Sequence, residues 1–254
     1  MFFICTNKNF SVLLHAILGK NGLMKHIAII LAGGTGSRVG GNTPKQLLPL
    51  ADGRSILEHS VEAFEQAACI EEIAIVMHPD FLNEAESLRA KNSWKKVTKV
   101  IAGGNERWES SWKAIQAYEG ERLKVKGERI SLLLHDAARP FVSARIIREV
   151  CAALEEHAAV TVAVPVTDTL YKVESLKFRV ESIPSRTEFM RAQTPQAFHL
   201  DTIVEAYHRA LAAGKVAATD DAGIVHTYMP EVPIYIVQGD EKNRKITYKG
   251  DIEK

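Results

Sequence analysis

Short apolar runs alternate along this chain with segments of helical periodicity, beginning at Ile27. Six runs, at residues 27–31, 72–77, 97–101, 131–135, 159–166 and 233–238, have the length and composition of buried strands. Between them, segments such as 56–67, 108–118 and 143–157 place apolar residues three and four positions apart, with Ser55 and Ser143 as candidate N-caps. This alternation predicts an α/β fold built on a doubly wound, mostly parallel sheet.

Residues 168–182 depart from this alternation. Two short runs, TLYKV and FRVES, flank a polar turn, which is typical of a β-hairpin. A hairpin without a core of its own must pack against another surface, and a second copy of the chain is the expected one. We therefore predict a β-hairpin arm, at about residues 166–190, through which the protein forms a homodimer.

The N-terminal segment contains an apolar stretch at residues 10–18, before the first predicted strand. No A-x-A cleavage site follows this stretch, and it is too short to span a bilayer. Met24 directly precedes the first strand, so residues 1–23 are interpreted as an extension outside the fold. Residues 24–254 are interpreted as a single domain of a cytoplasmic protein without membrane association, since no linker or repeat divides them.

Charge and cysteine content narrow the function classes. The 32 lysines and arginines nearly balance the 31 aspartates and glutamates, which argues against a nucleic-acid partner. With so little net charge, any anion-binding site must be formed by a local group of residues.

The three cysteines, Cys5, Cys69 and Cys151, form no CxxC pattern, and we expect them to be reduced.

A glycine-rich loop, LAGGTGSRVGGNTPKQ at residues 31–46, follows the first strand. Glycines leave backbone N–H groups free to face a triphosphate, yet the loop lacks both the P-loop pattern and the third glycine of the dinucleotide fingerprint. Arg38 and Lys45 follow the glycines, and fixed cations stabilise the charge of a phosphoryl-transfer transition state. The loop predicts nucleotidyl transfer; a glycine-rich turn with two solvated charges is the alternative.

The segment LLLHDAARP, residues 132–140, ends another buried strand, at the edge where open α/β sheets bind ligands. Asp136 is the best candidate Mg²⁺ ligand, because Mg²⁺ commonly takes one or two carboxylates together with phosphate oxygens. In the alternative interpretation, Asp136 caps the following turn and pairs with Arg139.

Weaker signals lie elsewhere. IAGGNERWESSW, residues 101–112, follows the end of another strand, and Ser110 is expected to face inward toward a base or ribose; an ordinary strand-to-helix turn is the alternative. Arg186 and Lys245 have the charge to bind a phosphorylated acceptor, although no local pattern identifies them. Residues 219–221 look like a helix N-cap, and whether Asp220 or Asp221 assists a metal stays open.

The ordered motifs LAGGTGSRVGGNTPKQ, AGGNERWESS, HDAARP, VPVTDTL, AQTPQAF, ATDDAG and KNRKIT resemble the 2-C-methyl-D-erythritol 4-phosphate cytidylyltransferase family over about residues 25–250. The resemblance implies a Rossmann-like nucleotidyltransferase domain with a dimerising β-arm. It also implies that CTP and Mg²⁺ are needed, and that CDP-methylerythritol and pyrophosphate are the products.

The resemblance assigns roles residue by residue. CTP would be bound by Ala32, Gly33, Gly34, Gly36, Gly104, Asn105 and Ser110. Arg38, Lys45 and Lys245 would be catalytic. The acceptor would be bound by Asp136, Arg139, Thr169, Arg186, Thr194 and Lys245, with Asp136 also on the metal. Thr169 and Arg186, in or beside the arm, would reach the site of the partner.

Three positions depart from the family pattern. Asn105 stands where many relatives carry aspartate, Lys172 comes one place later than the usual lysine of the arm, and the final KITYKGDIEK shortens or removes the last helix. Three rival functions stay open: a ribitol-5-phosphate cytidylyltransferase, another sugar-phosphate nucleotidyltransferase, and a non-catalytic nucleotide sensor. Arg186 before TPQ and the segment VPVTDTL favour the methylerythritol enzyme.

Overall fold

A computed structural model describes residues 24–34, 43–120, 129–174, 177–214, 216 and 218–252. Seven strands form one sheet: β1 Met24–Ala32, β2 Glu72–Met77, β3 Val97–Ala102, β4 Arg129–Asp136, β5 Ala159–Pro165, β8 Met190–His199 and β9 Tyr235–Gln238. These described residues also form six α-helices: α1 Ile56–Glu65, α2 Leu82–Asn92, α3 Arg107–Glu119, α4 Ala144–Ala153, α5 Leu200–Ala212 and α6 Asp221–Tyr228.

The sheet has the order β3-β2-β1-β4-β8-β5-β9, and β8 runs antiparallel to both of its neighbours while the other pairings are parallel. Alternate side chains of β1 enter two different cores: Ala28 and Ile30 pack with α1 and α4, whereas Ile27 and Ile29 pack with α3 and α5. Both faces are therefore covered by helices, as the apolar strand runs require. The predicted doubly wound, mostly parallel fold is confirmed.

Three helix starts follow from side-chain capping. The Ser55 hydroxyl accepts from the Glu58 amide at 3.2 Å, and the Glu58 carboxylate accepts in return from the Ser55 amide at 2.7 Å. Ser143 caps α4, and Asp220 caps α6 through a bond of 2.8 Å from the Gly223 amide. All three predicted caps are confirmed.

The hairpin arm consists of β6 Lys172–Glu174 and β7 Arg179–Ser182, which pair with each other and not with the main sheet. Phe178 is 94% exposed at its tip, and Val173 and Val180 are about half exposed. The predicted hairpin is confirmed, and its apolar surface lacks a cover within the described part of the chain. The homodimer and the single-domain boundaries stay predictions.

Other sequence expectations have mixed outcomes. Cys69 and Cys151 are free thiols, as expected, whereas Cys5 and the proposed extension 1–23 lie outside the described residues. A 3₁₀ turn at Lys249–Asp251 stands where the family helix was expected to be short or missing. Within the described ranges, every helix is too short or too polar to cross a membrane.

Candidate active site

The predicted loop and the Asp136 segment meet at one edge of the sheet. β1 and β4 are parallel neighbours whose carboxyl ends lie side by side, with Leu31 in register with Asp136. The amide of Ala137 donates to the Leu31 carbonyl at 3.0 Å. Because the strand order reverses between β1 and β4, this is the crevice in which doubly wound sheets bind ligands.

A close backbone contact lies beside this crevice, where β1 and β3 end. A Cβ on Gly103 would lie 2.9 Å from the Ser110 hydroxyl and 3.4 Å from the Gly33 Cα. The same hydroxyl accepts from the Gly104 amide at 3.0 Å. Ser110 is buried and faces inward, as predicted, so it fixes two glycine segments at a separation that larger residues could not keep.

The end of the glycine-rich loop is tied to both sides of the crevice. The Lys45 ammonium donates to the Ile246 carbonyl at 2.8 Å, and the Gln46 amide donates to the Gly34 carbonyl at 3.0 Å. Lys45 therefore lies next to the segment that carries Lys245. Gly36 and Arg38 lie outside the described residues.

Asp136 lies between two cations. Its Oδ1 accepts from Nε of Arg107 at 3.2 Å, and its Oδ2 accepts from Nζ of Lys245 at 2.7 Å. Burial by itself would raise the pKa of Asp136, yet Arg107 and Lys245 hold it well below its usual range. The carboxylate is therefore ionised at neutral pH.

Arg139 is close to this carboxylate but bonds elsewhere. Its guanidinium donates to the carbonyls of Asn243 at 2.8 Å and Ala192 at 3.2 Å, while its backbone amide donates to the Asp136 carbonyl. The alternative in which Arg139 is the ion-pair partner of Asp136 is wrong, because Arg107 and Lys245 bind both carboxylate oxygens.

Thr194 orders the strand ends behind the carboxylate. Burial lowers the pKa of His135 to about 4, so its ring is neutral, and its Nε2 donates to the Arg139 carbonyl at 3.0 Å. Its Nδ1 then accepts from the Thr194 hydroxyl, which itself accepts from the Asp136 amide at 3.1 Å. A direct contact between Thr194 and a substrate stays a prediction.

A cavity of about 160 Å³ opens in front of Asp136. It is lined by Arg107, Asp136, Arg139, Ala192, Gln193, Thr194, Gln196, Thr219, Asp220 and Lys245. The structure thus brings four of the predicted acceptor residues together in one wall. Thr169 and Arg186 lie instead on the exposed arm, where the Arg186 guanidinium donates to the Thr167 carbonyl at 2.7 Å.

Sequence reasoning missed Arg107, which occupies the centre of the site. Besides Asp136, it bonds to Asp221, whose Oδ2 accepts from NH1 at 2.8 Å. Asp221 is fully buried and also accepts from the Tyr207 hydroxyl at 2.7 Å. One feature of the sequence could have indicated its partner: TDDAG contains two adjacent aspartates, Asp220 and Asp221, although a helix cap requires only one.

The carboxylates of the cavity can be compared with the ligands of Mg²⁺, the metal that the family resemblance implies. Within the described ranges, no group of three or more histidine, cysteine, aspartate or glutamate side chains could hold a metal ion. The cavity is lined by two carboxylates, those of Asp136 and Asp220, together with the cations of Arg107, Arg139 and Lys245. Mg²⁺ is commonly bound by one or two carboxylates plus substrate phosphates, so this arrangement suits it.

Comparison with known proteins gives a consistent family. The family model described as 2-C-methyl-D-erythritol 4-phosphate cytidylyltransferase (IspD) matches residues 26–254. The enzyme of that name from Thermobifida fusca is 45% identical over 231 residues, covering 89% of each chain. A Haemophilus influenzae bifunctional ribulose 5-phosphate reductase/CDP-ribitol pyrophosphorylase is 39% identical over 90% of this chain, which spans 47% of that protein.

Solved structures agree with the sequence comparison. The 4-diphosphocytidyl-2C-methyl-D-erythritol synthase of Anaerococcus prevotii superposes with a TM-score of 0.76 at 26% identity, covering 90% of this chain and 93% of the other. The Francisella tularensis enzyme gives 0.70 at the same identity. With the motifs, the fold and the family match in agreement, this chain belongs to the 2-C-methyl-D-erythritol 4-phosphate cytidylyltransferase family.

Proposed function

We propose that this protein transfers the cytidylyl group of CTP to 2-C-methyl-D-erythritol 4-phosphate. An oxygen of the acceptor phosphate forms a bond to the α-phosphorus, and the bond from that phosphorus to the bridging oxygen of the β-phosphate breaks, releasing pyrophosphate. The observation that carries this proposal is the carboxylate of Asp136, held between Arg107 and Lys245 at the crevice where the glycine-rich loop ends.

CTP is proposed to bind along the glycine segments. Gly33 and Gly103 bring the segments after β1 and β3 into close contact, and the base and ribose are proposed to lie against these segments, which also contain Gly34, Gly104 and Asn105. Ala32 ends β1 at this position, and Gly36 belongs to the loop that would face the triphosphate. Arg38 and Lys45 would then stabilise the charge that builds up around the α-phosphorus.

The acceptor is proposed to bind on the other side of Asp136. Lys245 and Arg139 supply positive charge in the cavity wall, and the Lys245 side chain is 40% exposed, so its ammonium can leave Asp136 for a phosphate oxygen. A phosphate monoester is already nucleophilic near neutral pH, and no general base is required. Position and charge therefore carry the rate.

Mg²⁺ is proposed to be held by Asp136 and the triphosphate, where it would neutralise phosphate charge and orient the leaving group. Thr169 and Arg186 are proposed to act across a homodimer, since the hairpin pairs only with itself, apart from the main sheet, and carries exposed apolar side chains. Reduced thiols and a small soluble substrate pair are consistent with a cytoplasmic enzyme.

The second candidate acceptor is ribitol 5-phosphate. The CDP-ribitol pyrophosphorylase named above motivates it, because that protein is 39% identical to this chain. Both acceptors carry a phosphate monoester on a terminal carbon, so the residues around Asp136 suit either. The selection between the two acceptors is therefore proposed to depend on the arm. The segment SRTEFMRAQTPQ, with Arg186 before TPQ, favours the methylerythritol acceptor.

Pyrophosphate release tests the proposal. Purified protein is incubated with Mg²⁺ and each pair of CTP, UTP or GTP with methylerythritol 4-phosphate or ribitol 5-phosphate. We expect kcat/KM to be highest for CTP with methylerythritol 4-phosphate, and Asp136→Asn to abolish most of that activity. Faster turnover of ribitol 5-phosphate would reassign the acceptor, and absence of turnover with every pair would support a nucleotide sensor.

A further inference from the structure

A row of charged and polar groups runs from the protein interior to the active-site carboxylate. The Tyr207 hydroxyl donates to Asp221 at 2.7 Å, and Asp221 accepts from Arg107 at 2.8 Å. Arg107 donates in turn to Asp136 at 3.2 Å, and Lys245 completes the row at 2.7 Å. Side chains from three helices, α3, α5 and α6, are thus linked through Arg107 to one carboxylate of β4.

Asp221 is not needed where it stands as a helix cap. Asp220, its neighbour, already caps α6 by accepting from the Gly223 amide and also accepts from the Gln196 side-chain amide. Asp221 is nonetheless fully buried, and burying a carboxylate is costly unless it is paired. Its pairing with Arg107 is therefore not explained by the start of the helix.

Arg107 has a geometry that a lysine could not reproduce. Its planar guanidinium uses Nε for Asp136 and NH1 for Asp221, so one rigid group spans two carboxylates contributed by β4 and α6. With Asp221 in place, the guanidinium has a fixed orientation. It then holds Oδ1 of Asp136 and leaves Oδ2 to Lys245, the ammonium proposed to move to the substrate.

We propose that Asp221 is a positioning residue for the reaction and acts through Arg107 to fix the carboxylate of Asp136. This inference rests on the proposed role of Asp136 and deepens it. Without Asp221, Arg107 would keep one carboxylate partner and could follow it, so Asp136 would sample several orientations. The chemical step would slow, while binding of CTP at the glycine segments would change little.

A double-mutant cycle between Asp221 and Arg107 tests the proposal. Asp221→Asn preserves size and removes the charge, and Arg107→Lys preserves charge and removes the fork. We expect each single variant to lower kcat on the order of 10-fold, with the KM for CTP within about threefold of wild type. If Asp221 acts through Arg107, the double variant should be no slower than Arg107→Lys alone.

Glu72→Gln provides a matched control at the opposite edge of the sheet. Glu72 is also a buried carboxylate, bonded to Lys25, Lys99 and the hydroxyl of a buried tyrosine, Tyr118. We expect this variant to lower the melting temperature by several degrees and to leave kcat within about twofold. It separates loss of stability from loss of positioning.

Two results would overturn the inference. Additive effects of Asp221→Asn and Arg107→Lys on kcat would mean that Asp221 does not act through Arg107. A loss of melting temperature in Asp221→Asn with unchanged kcat would leave Asp221 a purely structural role. Failure of the proposed function looks different: the wild-type protein would then release no pyrophosphate from CTP with methylerythritol 4-phosphate. Failure of the proposed role of Asp136 alone would show as full activity in Asp136→Asn.

Discussion

The Lys245 ammonium lies 2.7 Å from Oδ2 of Asp136, although the two residues are 109 positions apart in the chain. The segment that carries Lys245 is held in place independently of this ion pair. The Ile246 amide donates to the Ala138 carbonyl at 2.8 Å, and the Asn243 side chain donates to the Thr194 carbonyl at 2.9 Å. Lys245 can therefore exchange Asp136 for a substrate phosphate without releasing its segment.

Replacing Lys245 by methionine should lower kcat/KM for the acceptor on the order of 10²-fold, because the acceptor phosphate would lose a charged partner. Steady-state kinetics with varied acceptor measures this effect. Lys242→Met, three residues earlier on the exposed surface, is the matched control and should stay near wild type. Equal activity of the two variants would remove Lys245 from the site.

Replacing Lys45 by alanine should lower kcat on the order of 10²-fold or more, because the ammonium would stabilise the transition state. The same loss is expected for Arg38→Ala. Lys96→Ala is a suitable control, since Lys96 also donates to a backbone carbonyl, that of Ala67, at 2.7 Å. If Lys45→Ala lost only stability, as expected for the control, Lys45 would serve to hold its segment.

Replacing Gly103 by alanine should raise the Kd for CTP at least several-fold. The new Cβ would lie 2.9 Å from the Ser110 hydroxyl and 3.3 Å from the Met77 carbonyl, so backbone would have to move. Gly120→Ala, at the end of α3, meets nothing within 4 Å and is the control. Calorimetric titration measures the Kd of each variant for CTP. Equal values for Gly103→Ala and Gly120→Ala would contradict CTP binding at the glycine segments.

Glu58 should make the stability of the fold depend on pH in the acid range. Burial by itself would raise its pKa, yet hydrogen bonds from the Ser55 amide, Asn92 and Lys91 lower it from 4.5 to about 2. A depressed folded-state pKa contributes stability that is complete above about pH 4.5 and is lost as the pH falls toward 2.

Glu58→Gln should therefore lower the free energy of unfolding by roughly 2–3 kcal/mol at pH 7, and the difference from wild type should roughly halve by pH 3. Urea unfolding at pH 7, 5, 4 and 3 measures both, with the exposed Glu156→Gln as a control for the lost charge. A difference that stays constant from pH 7 to pH 3 would contradict this explanation.

Mixing two inactive variants should restore activity if the arm acts across a dimer. Arg186→Ala removes a residue of the arm, and Lys245→Met removes one of the body. Dissociated and reassociated mixtures should regain about a quarter of wild-type activity, because half of the dimers are mixed and one of their two sites is intact. Lys45→Ala mixed with Lys245→Met should regain none, and equal recovery in both mixtures would contradict the arrangement.

Most of the fold could be predicted from local sequence patterns, but β8 could not. The four parallel strands β1 to β4 are apolar runs, which the sequence displays directly. β8 instead contains buried Gln193 and Gln196, whose amides donate to Asp240 and Asp220. A polar strand is stable there because distant segments satisfy it, and no local pattern reveals those partners.

The site shows the same division between local and distant information. The glycines and Asp136 stand in recognisable local contexts, and the structure places them together. Arg107 is the first residue of a helix, and its local sequence does not distinguish it from other charged residues in that position. Its role depends on Asp221, 114 positions further along the chain. From its own local sequence, Asp221 looks like a second acidic residue beside a helix cap.

The reversed direction of β8 has a consequence for how this enzyme can change over time. Because β8 runs against its neighbours, the strand leaves the arm at Met190 and reaches Thr194 beside Asp136 after roughly 13 Å. One short strand thus belongs both to the surface proposed to meet a partner and to the wall of the cavity. Selection on subunit pairing and selection on acceptor specificity would act on the same few residues. Subunit pairing and acceptor specificity could therefore not evolve independently.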